Sequence, residues 1–478
     1  MTTATPPTGE HLDSDLGYGS KVLAVEPGAG EFIPESERHG RPVQLAWTWS
    51  SPNLEFATVF VGVLAVTAYG MTFWQAVAAV AIGNLLGSAT QGVLSARGPK
   101  YGVPQMVLSR LSFGYFGNAL PATLMSLMCG VGWFATNSTS GAWALSTLTH
   151  LRPLPCLAIV VVVQVFVAFA GHNLVQAFER YAFPVLAVIF VVAVIVVFAK
   201  SSPGDAAPAA KGVGGIGGFL LTVGTAFGYT AGWNPYAADY TRYLPSATSR
   251  RAVGWSAAIG LFVSTTLLMA AGSASTTIAG ASGPNPTAEF TSTLPSVLAH
   301  LVLLAIVVGA VAANVLNVYS GSMAFVVIGI TGGARFARAA IAVVFGVVGF
   351  LVAWWALPDA AASYESFLLI VAYWIGPWLG VVIADQWLRR DQAGKSWILY
   401  DRAFTNWGGV GAFLIGLVVS VALFSNQEKF TGVIAKQVPQ LGDLTFFVGF
   451  LIGGGLYLAF VASSIRGSRP GAHSKLEA

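Results

Sequence analysis

The sequence predicts an all-α integral membrane protein with about twelve transmembrane helices, built as two inverted five-helix halves followed by two C-terminal helices. Of its 478 residues, 55% are apolar and only 9% are charged, whereas soluble domains carry about 25% charged residues. Apolar segments of about 20 residues, long enough to cross a bilayer, recur along most of the chain. Two segments that lie five apart each carry a proline directly beside polar side chains, Pro52 in the first and Pro235 in the sixth.

The N-terminal residues 1–41 are polar, acidic and rich in Gly and Pro. No basic segment followed by an apolar run is present there, so this stretch does not resemble a cleavable signal peptide. We expect a disordered cytoplasmic tail.

Twelve segments are predicted to span the membrane. Their approximate bounds are 45–67, 73–94, 115–147, 154–171, 181–200, 217–244, 252–279, 294–330, 337–357, 364–387, 407–424 and 444–465. The predicted domains are the first repeat (42–200), an extracytoplasmic loop (201–216), the second repeat (217–390), spans 11 and 12 (391–465) and a C-terminal cytoplasmic tail (466–478).

Basic residues indicate the orientation. If the N-terminus is cytoplasmic, most of the inter-span Lys and Arg residues are cytoplasmic too, and only Arg152, Lys200, Lys211, Lys429 and Lys436 fall outside. Such an excess in cytoplasmic loops is the usual signature of topology. Both termini are therefore predicted inside a multi-pass plasma-membrane protein. Because the basic residues occupy short loops, we expect no nucleic-acid partner.

The sixth span contains the stretch GTAFGYTAGWNPYAADYTR at 224–242, which carries Gly224, Gly228 and Gly232 on one helical face. A neighbouring helix can approach such a face closely. Pro235 then lacks an N–H and its ring clashes with the carbonyl of Ala231, so the helix should break there. A break in lipid is tolerated only beside a cavity or inside protein.

Pro52 interrupts span 1 as Pro235 interrupts span 6. An odd number of spans per half inverts the second half, and paired breaks in inverted repeats point to a midplane substrate site. The alternative is that prolines are common in membrane helices and need not mark a binding site.

Aromatic and carboxamide side chains lie at mid-span. Trp133 and Asn137 share one face of span 3, Asn314 and Asn317 share one face of span 8, and Trp233 precedes the span 6 break. Aromatic faces stack on flat rings, and carboxamides both donate and accept hydrogen bonds. Together they suit a neutral planar heterocycle such as a nucleobase. Alternatively, each Asn could merely bond a neighbouring helix.

Two carboxylates are candidates for cation coupling, namely Glu55 in span 1 and Asp239 after the span 6 break. An acid within the membrane is a functional candidate by default. Asp239 lies three residues before Arg242, so it could equally form a structural ion pair or a gate. Glu55 is the better candidate for a proton site.

Enzyme chemistry is not indicated. The glycines at 212, 214 and 217 match a dinucleotide fingerprint, but no strand precedes them. The six His residues are scattered, and the two cysteines, Cys129 and Cys156, read as core packing. No cofactor is expected apart from a co-transported H⁺ or Na⁺.

Four sequence motifs are distinctive, namely IPESERHGR (33–41), GPKYGVP (98–104) with Arg110, GW (132–133) and GWNPYAADYTRYLP (232–245). Together they resemble the nucleobase:cation symporter-1 family, most closely its purine–cytosine permease branch. The resemblance covers nearly the whole chain and implies the LeuT-type 5+5 inverted-repeat fold with two extra helices.

The resemblance also implies that the base stacks between Trp133 and Trp233, with Asn137, Asn314 and Asn317 as polar partners. Ser51 and Asn53 at the span 1 break are a looser match. Sodium-coupled relatives carry hydroxyl side chains in span 8 shortly before the substrate-facing Asn, where this chain reads VGAVAA at 308–313. The departure favours proton over sodium coupling.

The predicted function is import of a nucleobase, cytosine and/or purines, by cation symport, with the proton favoured. Alternatives are a proton- or sodium-coupled importer of allantoin, hydantoin or a vitamin base, and, from another class, a channel or a non-transporting receptor. The expected partners are the substrate, the coupling cation and the lipid bilayer, and a monomer is expected to suffice for transport.

Overall fold

A computed structural model describes residues 32–169, 172–204, 214–278, 285–328, 337–390, 396–427 and 429–467. The regular structure in these ranges is helical. The helices are α1 Gln44–Ser50, α2 Phe56–Thr67, α3 Phe73–Ser95, α4 Gly98–Tyr101, α5 Gln105–Leu108, α6 Arg110–Phe113, α7 Ala119–Leu127, α8 Phe134–Thr149, α9 Pro153–Phe169, α10 His172–Lys200, α11 Gly215–Ala231, α12 Ala237–Thr241, α13 Arg250–Ser275, α14 Pro286–Ser292, α15 Ser296–Val327, α16 Ala337–Ala356, α17 Ala360–Leu388, α18 Trp407–Phe424, α19 Val433–Gln437 and α20 Thr445–Gly467.

Seven helices in these ranges are long and apolar enough to cross a membrane, and the bent pair of α1 and α2 supplies an eighth. The shorter apolar helices Pro153–Val167 and Pro184–Lys200 lie between them. The protein is therefore an all-α, multi-pass membrane protein, as predicted. The number of twelve spans stays a prediction.

The predicted break in span 1 is confirmed. Helix α1 ends at Ser50, a 3₁₀ turn covers Ser51–Asn53, and α2 begins at Phe56. The two halves are bent by 63°. Glu55 adopts an extended conformation, and its side chain accepts a hydrogen bond from the backbone N–H of Ala57, which caps α2.

The predicted break in span 6 is also confirmed. Helix α11 ends at Ala231, a 3₁₀ turn covers Asn234–Tyr236, and α12 continues from Ala237. Of the three predicted packing glycines, Gly228 allows the closest helix approach, since a Cβ there would lie 2.2 Å from the Leu368 carbonyl oxygen of α17. Gly232 instead faces the ring of Trp133.

Spans 1 and 7 cross at two glycines. A Cβ on Gly62 of α2 would lie 1.7 Å from the carbonyl oxygen of Met269, and a Cβ on Gly272 of α13 would lie 1.9 Å from that of Val59. Only glycine permits this backbone-to-backbone contact. Helices α18 and α20, which correspond to predicted spans 11 and 12, pack against each other and against α17.

The last part of the predicted tail is held against the body of the protein, which corrects the predicted boundary at residue 41. The backbone N–H of Ile33 donates to the Gly102 carbonyl (2.8 Å), and that of His39 donates to the Tyr243 carbonyl (2.6 Å). The Arg38 guanidinium is buried and donates to the Pro99 carbonyl. We call residues 32–41 the strap. Residues 1–31, most of the loop 201–216 and the tail from 468 onward lie outside the described residues.

Candidate substrate site at the two helix breaks

The site is built around Trp133, which ends a π-helical turn at Met128–Trp133 between α7 and α8. A π turn inserts one residue into a helix and re-aims the side chains around it, and such turns are frequent at functional sites. The Trp133 ring packs edge-on against Phe367 (centroids 5.0 Å apart) and Tyr229 (5.3 Å). It is buried, and it lies against Gly232 at the end of α11.

Trp233 links the two broken helices. Its indole N–H donates to the side-chain oxygen of Asn53 at 3.0 Å, and the Asn53 amide donates to the Trp49 carbonyl at 2.5 Å. The Trp49 and Trp233 rings lie 6.0 Å apart. Asn53 thus orients Trp233, a role that the sequence prediction of a substrate contact did not include. Ser51, the other predicted residue of this break, is buried in the 3₁₀ turn.

Asn314 of α15 is the centre of a polar network. Its amide nitrogen donates to the Phe134 carbonyl (2.9 Å) and to the Ser138 hydroxyl (3.2 Å). Its oxygen accepts from the amides of Asn137 (3.0 Å) and Asn317 (3.3 Å). A carboxamide offers two donor and two acceptor positions, and all four are used within the protein. Direct contact of Asn314 with a substrate stays a prediction.

The side-chain oxygens of Asn317 and Asn137 differ in whether the protein already satisfies them. The oxygen of Asn317 accepts from the Tyr236 hydroxyl at 2.7 Å. The oxygen of Asn137 is buried and has no hydrogen-bond partner among the described residues. The structure therefore brings Asn137, Asn314 and Asn317 into one cluster, in which Asn137 offers an acceptor.

Glu55 lies at the span 1 break with one per cent of its surface exposed. Its carboxylate accepts from the Ala57 N–H (3.0 Å) and from the Tyr229 hydroxyl (3.4 Å). No described basic side chain forms an ion pair with it. Gly309 of span 8 packs directly on it, since a Cβ there would lie 3.0 Å from the Glu55 Cβ.

Asp239 occupies a different place. It lies buried in α12, where its carboxylate accepts from the backbone N–H of Gln105 at 2.9 Å. The contact joins α12 to the start of α5, so Asp239 ties span 6 to the loop before span 3.

Tyrosines are the residues that sequence reasoning missed. Tyr229 contacts both Trp133 and Glu55, and Tyr236 bonds Asn317. A signal was available, because Tyr229 lies four residues before Trp233 and Tyr236 three residues after it. Residues at these spacings lie on one face of a helix.

Two membrane helices broken at proline, with aromatic and carboxamide side chains buried between them, define a membrane transporter of the inverted-repeat class, not an enzyme. Residues 32–449 match the family described as permease for cytosine/purines, uracil, thiamine, allantoin. The chain belongs to this permease family, which confirms the resemblance predicted from the span 6 motif.

Two curated relatives cover most of the chain. A putative purine-cytosine permease of Bacillus subtilis, YxlA, is 26% identical over 95% of this chain and 99% of its own length. The purine-cytosine permease fcyB of Emericella nidulans is 28% identical over 91% of this chain and 88% of its own.

Solved structures show the same fold. Mhp1, a nucleobase-cation-symport-1 family transporter in a closed conformation with bromovinylhydantoin bound, aligns with a TM-score of 0.72 over 94% of this chain and 97% of its own, at 19% identity. The inward-facing conformation of Mhp1 aligns with a TM-score of 0.71 at 18% identity. The predicted LeuT-type architecture is confirmed.

Proposed function

We propose that this permease imports a nucleobase, cytosine or a purine, across the plasma membrane in symport with a cation. The observation that carries the proposal is the buried cluster at the breaks, where the Trp133 ring packs against Gly232, Trp233 is the next residue in the chain, and the Asn137 oxygen has no hydrogen-bond partner among the described residues. The proposal places both termini in the cytoplasm and takes the monomer as the transporting unit. The names of the two curated relatives support the choice of substrate.

The chemistry of the cluster suits a nucleobase. The rings of Trp133 and Trp233 supply large apolar faces, and stacking of a base on an aromatic side chain is worth about 1–3 kcal/mol. The Asn137 oxygen supplies an acceptor for an N–H of the base. All three side chains are buried, so these contacts form away from bulk water, where they are strongest.

The proton is the favoured coupling ion. Glu55 is a buried carboxylate without an ion-pair partner among the described residues, and carrying a proton neutralises its charge. Span 8 meets it with Gly309, which offers no side-chain ligand for sodium. Tyr229 contacts both Glu55 and Trp133, so one side chain links the ion site to the substrate site.

A second candidate substrate is a hydantoin-type heterocycle. The solved structure that shares this fold holds bromovinylhydantoin, and a hydantoin permease of Microbacterium maritypicum is 27% identical over 156 residues. A flat ring with N–H donors would suit the same cluster.

Uptake measurements test the proposal. The protein is expressed in cells lacking their own base permeases, and uptake of radiolabelled cytosine and adenine is measured against unlabelled bases, allantoin and hydantoins. We expect saturable uptake that nucleobases inhibit most strongly. If the labelled bases are not taken up, uptake of a radiolabelled hydantoin would favour the second candidate, and failure of every heterocycle to be taken up would contradict both.

A further inference from the structure

We propose that Gln164, Ser138 and Asn314 form a relay that holds the Asn137 oxygen toward the substrate, so that the permease selects heterocycles presenting an N–H donor to span 3. The inference rests on the proposed function and deepens it. Gln164, Ser138 and Asn314 are positioning residues. Of the four residues, only Asn137 is inferred to contact the substrate, through its side-chain oxygen.

The relay is anchored by Gln164 of α9. Its amide nitrogen donates to the Ala310 carbonyl of α15 at 3.1 Å. A backbone carbonyl can only accept, so this contact identifies the nitrogen end of the Gln164 amide. The oxygen end then faces the Ser138 hydroxyl, at 2.7 Å. Both side chains are fully buried, so water does not compete for these bonds.

The Ser138 hydroxyl accepts a hydrogen bond from Asn314. The hydroxyl has one proton, and it lies within bonding distance of two pure acceptors, the Gln164 oxygen and the Phe134 carbonyl (2.6 Å). The proton is therefore committed, and toward Asn314 the hydroxyl acts as an acceptor. The Asn314 amide nitrogen donates to it and to the Phe134 carbonyl.

The orientation of Asn314 decides that of Asn137. Which way a carboxamide points is determined by its hydrogen-bond network. The Asn314 nitrogen donates to the Phe134 carbonyl, which can only accept, and to the Ser138 hydroxyl. Its oxygen therefore faces Asn137, and the Asn137 nitrogen must donate to it. The Asn137 oxygen is then left over, buried and without a protein partner among the described residues.

A buried acceptor without a partner is costly, and a substrate N–H would relieve that cost. A ring nitrogen without hydrogen or an N-methyl group at that place would leave it unrelieved. The relay therefore predicts that the permease binds bases with an exocyclic amino group or a ring N–H at this place more tightly than bases without such a donor.

The test compares each base with its N-methylated derivatives as inhibitors of uptake. For at least one methylated position we expect wild-type protein to prefer the unmethylated base at least about tenfold. Asn137→Leu should abolish this preference. Ser138→Ala and Gln164→Leu should reduce it severalfold while leaving affinity for the methylated derivative nearly unchanged. Ser140→Ala is the matched control, because that hydroxyl bonds only carbonyls of its own helix.

Ser138→Thr keeps a hydroxyl and should restore the wild-type preference, which a purely steric effect would not. If the Gln164 variant fails to reach the membrane, the comparison of Ser138→Ala with Ser140→Ala decides alone. An unchanged preference in Ser138→Ala, or an equal loss of affinity for base and derivative, would overturn the relay while leaving base transport intact. Absence of any base uptake by the wild-type protein would instead remove the proposed function and the relay with it.

Discussion

The Trp133 ring contacts Tyr229, Tyr364 and Phe367 from three sides, which holds its plane in place. We predict that Trp133→Ala weakens substrate affinity by about 1–3 kcal/mol, because one stacking face is lost. Trp133→Phe should cost less. The measurement is the affinity from competition uptake, corrected for surface expression. Trp74→Ala is the control, since Trp74 is 66% exposed on the outer surface. Equal affinities of the wild type and Trp133→Ala would exclude Trp133 from the stacking site.

At the residue scale, the identities of the candidate site residues followed from the sequence, but their contacts did not. Asn137 and Asn314 stand out because amide side chains are costly in a membrane and need partners, and Trp133 stands out because its large ring shares a helical face with Asn137 and can stack on a flat substrate. Whether an amide turns its oxygen to the substrate or to a neighbour depends on residues far away in sequence. The Gln164 contact with Ala310, 146 positions apart, is an example.

At the scale of the helices, the crossing of α2 and α13 brings the two backbones closest together among the described glycine contacts. Gly62→Ala would place a methyl group 1.7 Å from the Met269 carbonyl oxygen, so the helices must separate. Overpacking of this kind costs about 1–3 kcal/mol or more. We expect a lower thermal unfolding midpoint in detergent. Gly411→Ala is the control, because no atom lies within 4 Å of a Cβ built there. Similar unfolding midpoints for the two variants would contradict the close crossing.

The strap carries a pH-sensitive contact. The Glu35 carboxylate accepts from the Ser246 N–H at 2.9 Å, which lowers the pKa of Glu35 below its usual value. Because the pKa of Glu35 is lowered, the contact stabilises the strap fully at a pH above the usual pKa of a glutamate. This stabilisation is lost as the pH falls through the lowered pKa. We predict faster hydrogen exchange at residues 33–39 under acidic conditions, after correction for intrinsic rates.

Glu35→Gln should give fast exchange already at neutral pH. Glu37→Gln, on the same 3₁₀ turn, is the control because the Glu37 carboxylate forms no hydrogen bond or ion pair with the described residues. Protection of the strap that is independent of pH in wild-type protein would contradict the role of Glu35.

Among the elements, the two broken helices could be predicted because proline acts through local chemistry: it removes a donor and clashes within one turn. The π turn at Met128–Trp133 and the strap could not. Neither leaves a local pattern. The strap is held by bonds to residues distant in sequence, from 61 positions for Arg38 and Pro99 to 211 positions for Glu35 and Ser246.

At the scale of the whole molecule, composition and the regular spacing of apolar segments were sufficient for the fold class. The inverted-repeat architecture required one further inference, that two interruptions five spans apart occupy equivalent places in two halves. The number of spans was less accessible. Helix length and hydropathy identify seven or eight spans in the described residues, because some helices are too short to qualify and Ala340–Leu388, which covers most of α16 and all of α17, counts once.

Coupling to an ion is a property of the whole transporter. Sodium is a hard cation that requires several oxygen ligands at once, whereas a proton requires one carboxylate. Span 8 faces the span 1 break with Gly309, which carries no side-chain oxygen and packs against the Cβ of Glu55. We therefore predict that uptake rises as external pH falls, collapses with a protonophore and survives replacement of sodium by choline.

Glu55→Gln should resemble the protonated state, so its uptake should respond little to pH while substrate still binds. Asp239→Asn is the comparison, because Asp239 bonds Gln105 and not the span 1 break. This substitution should alter folding or transport rate without removing the pH response. The decisive measurement uses sealed vesicles in which the two gradients are imposed separately. Accumulation driven by sodium alone, with no pH difference across the membrane, would place the coupling ion on backbone carbonyls of the breaks and not on Glu55.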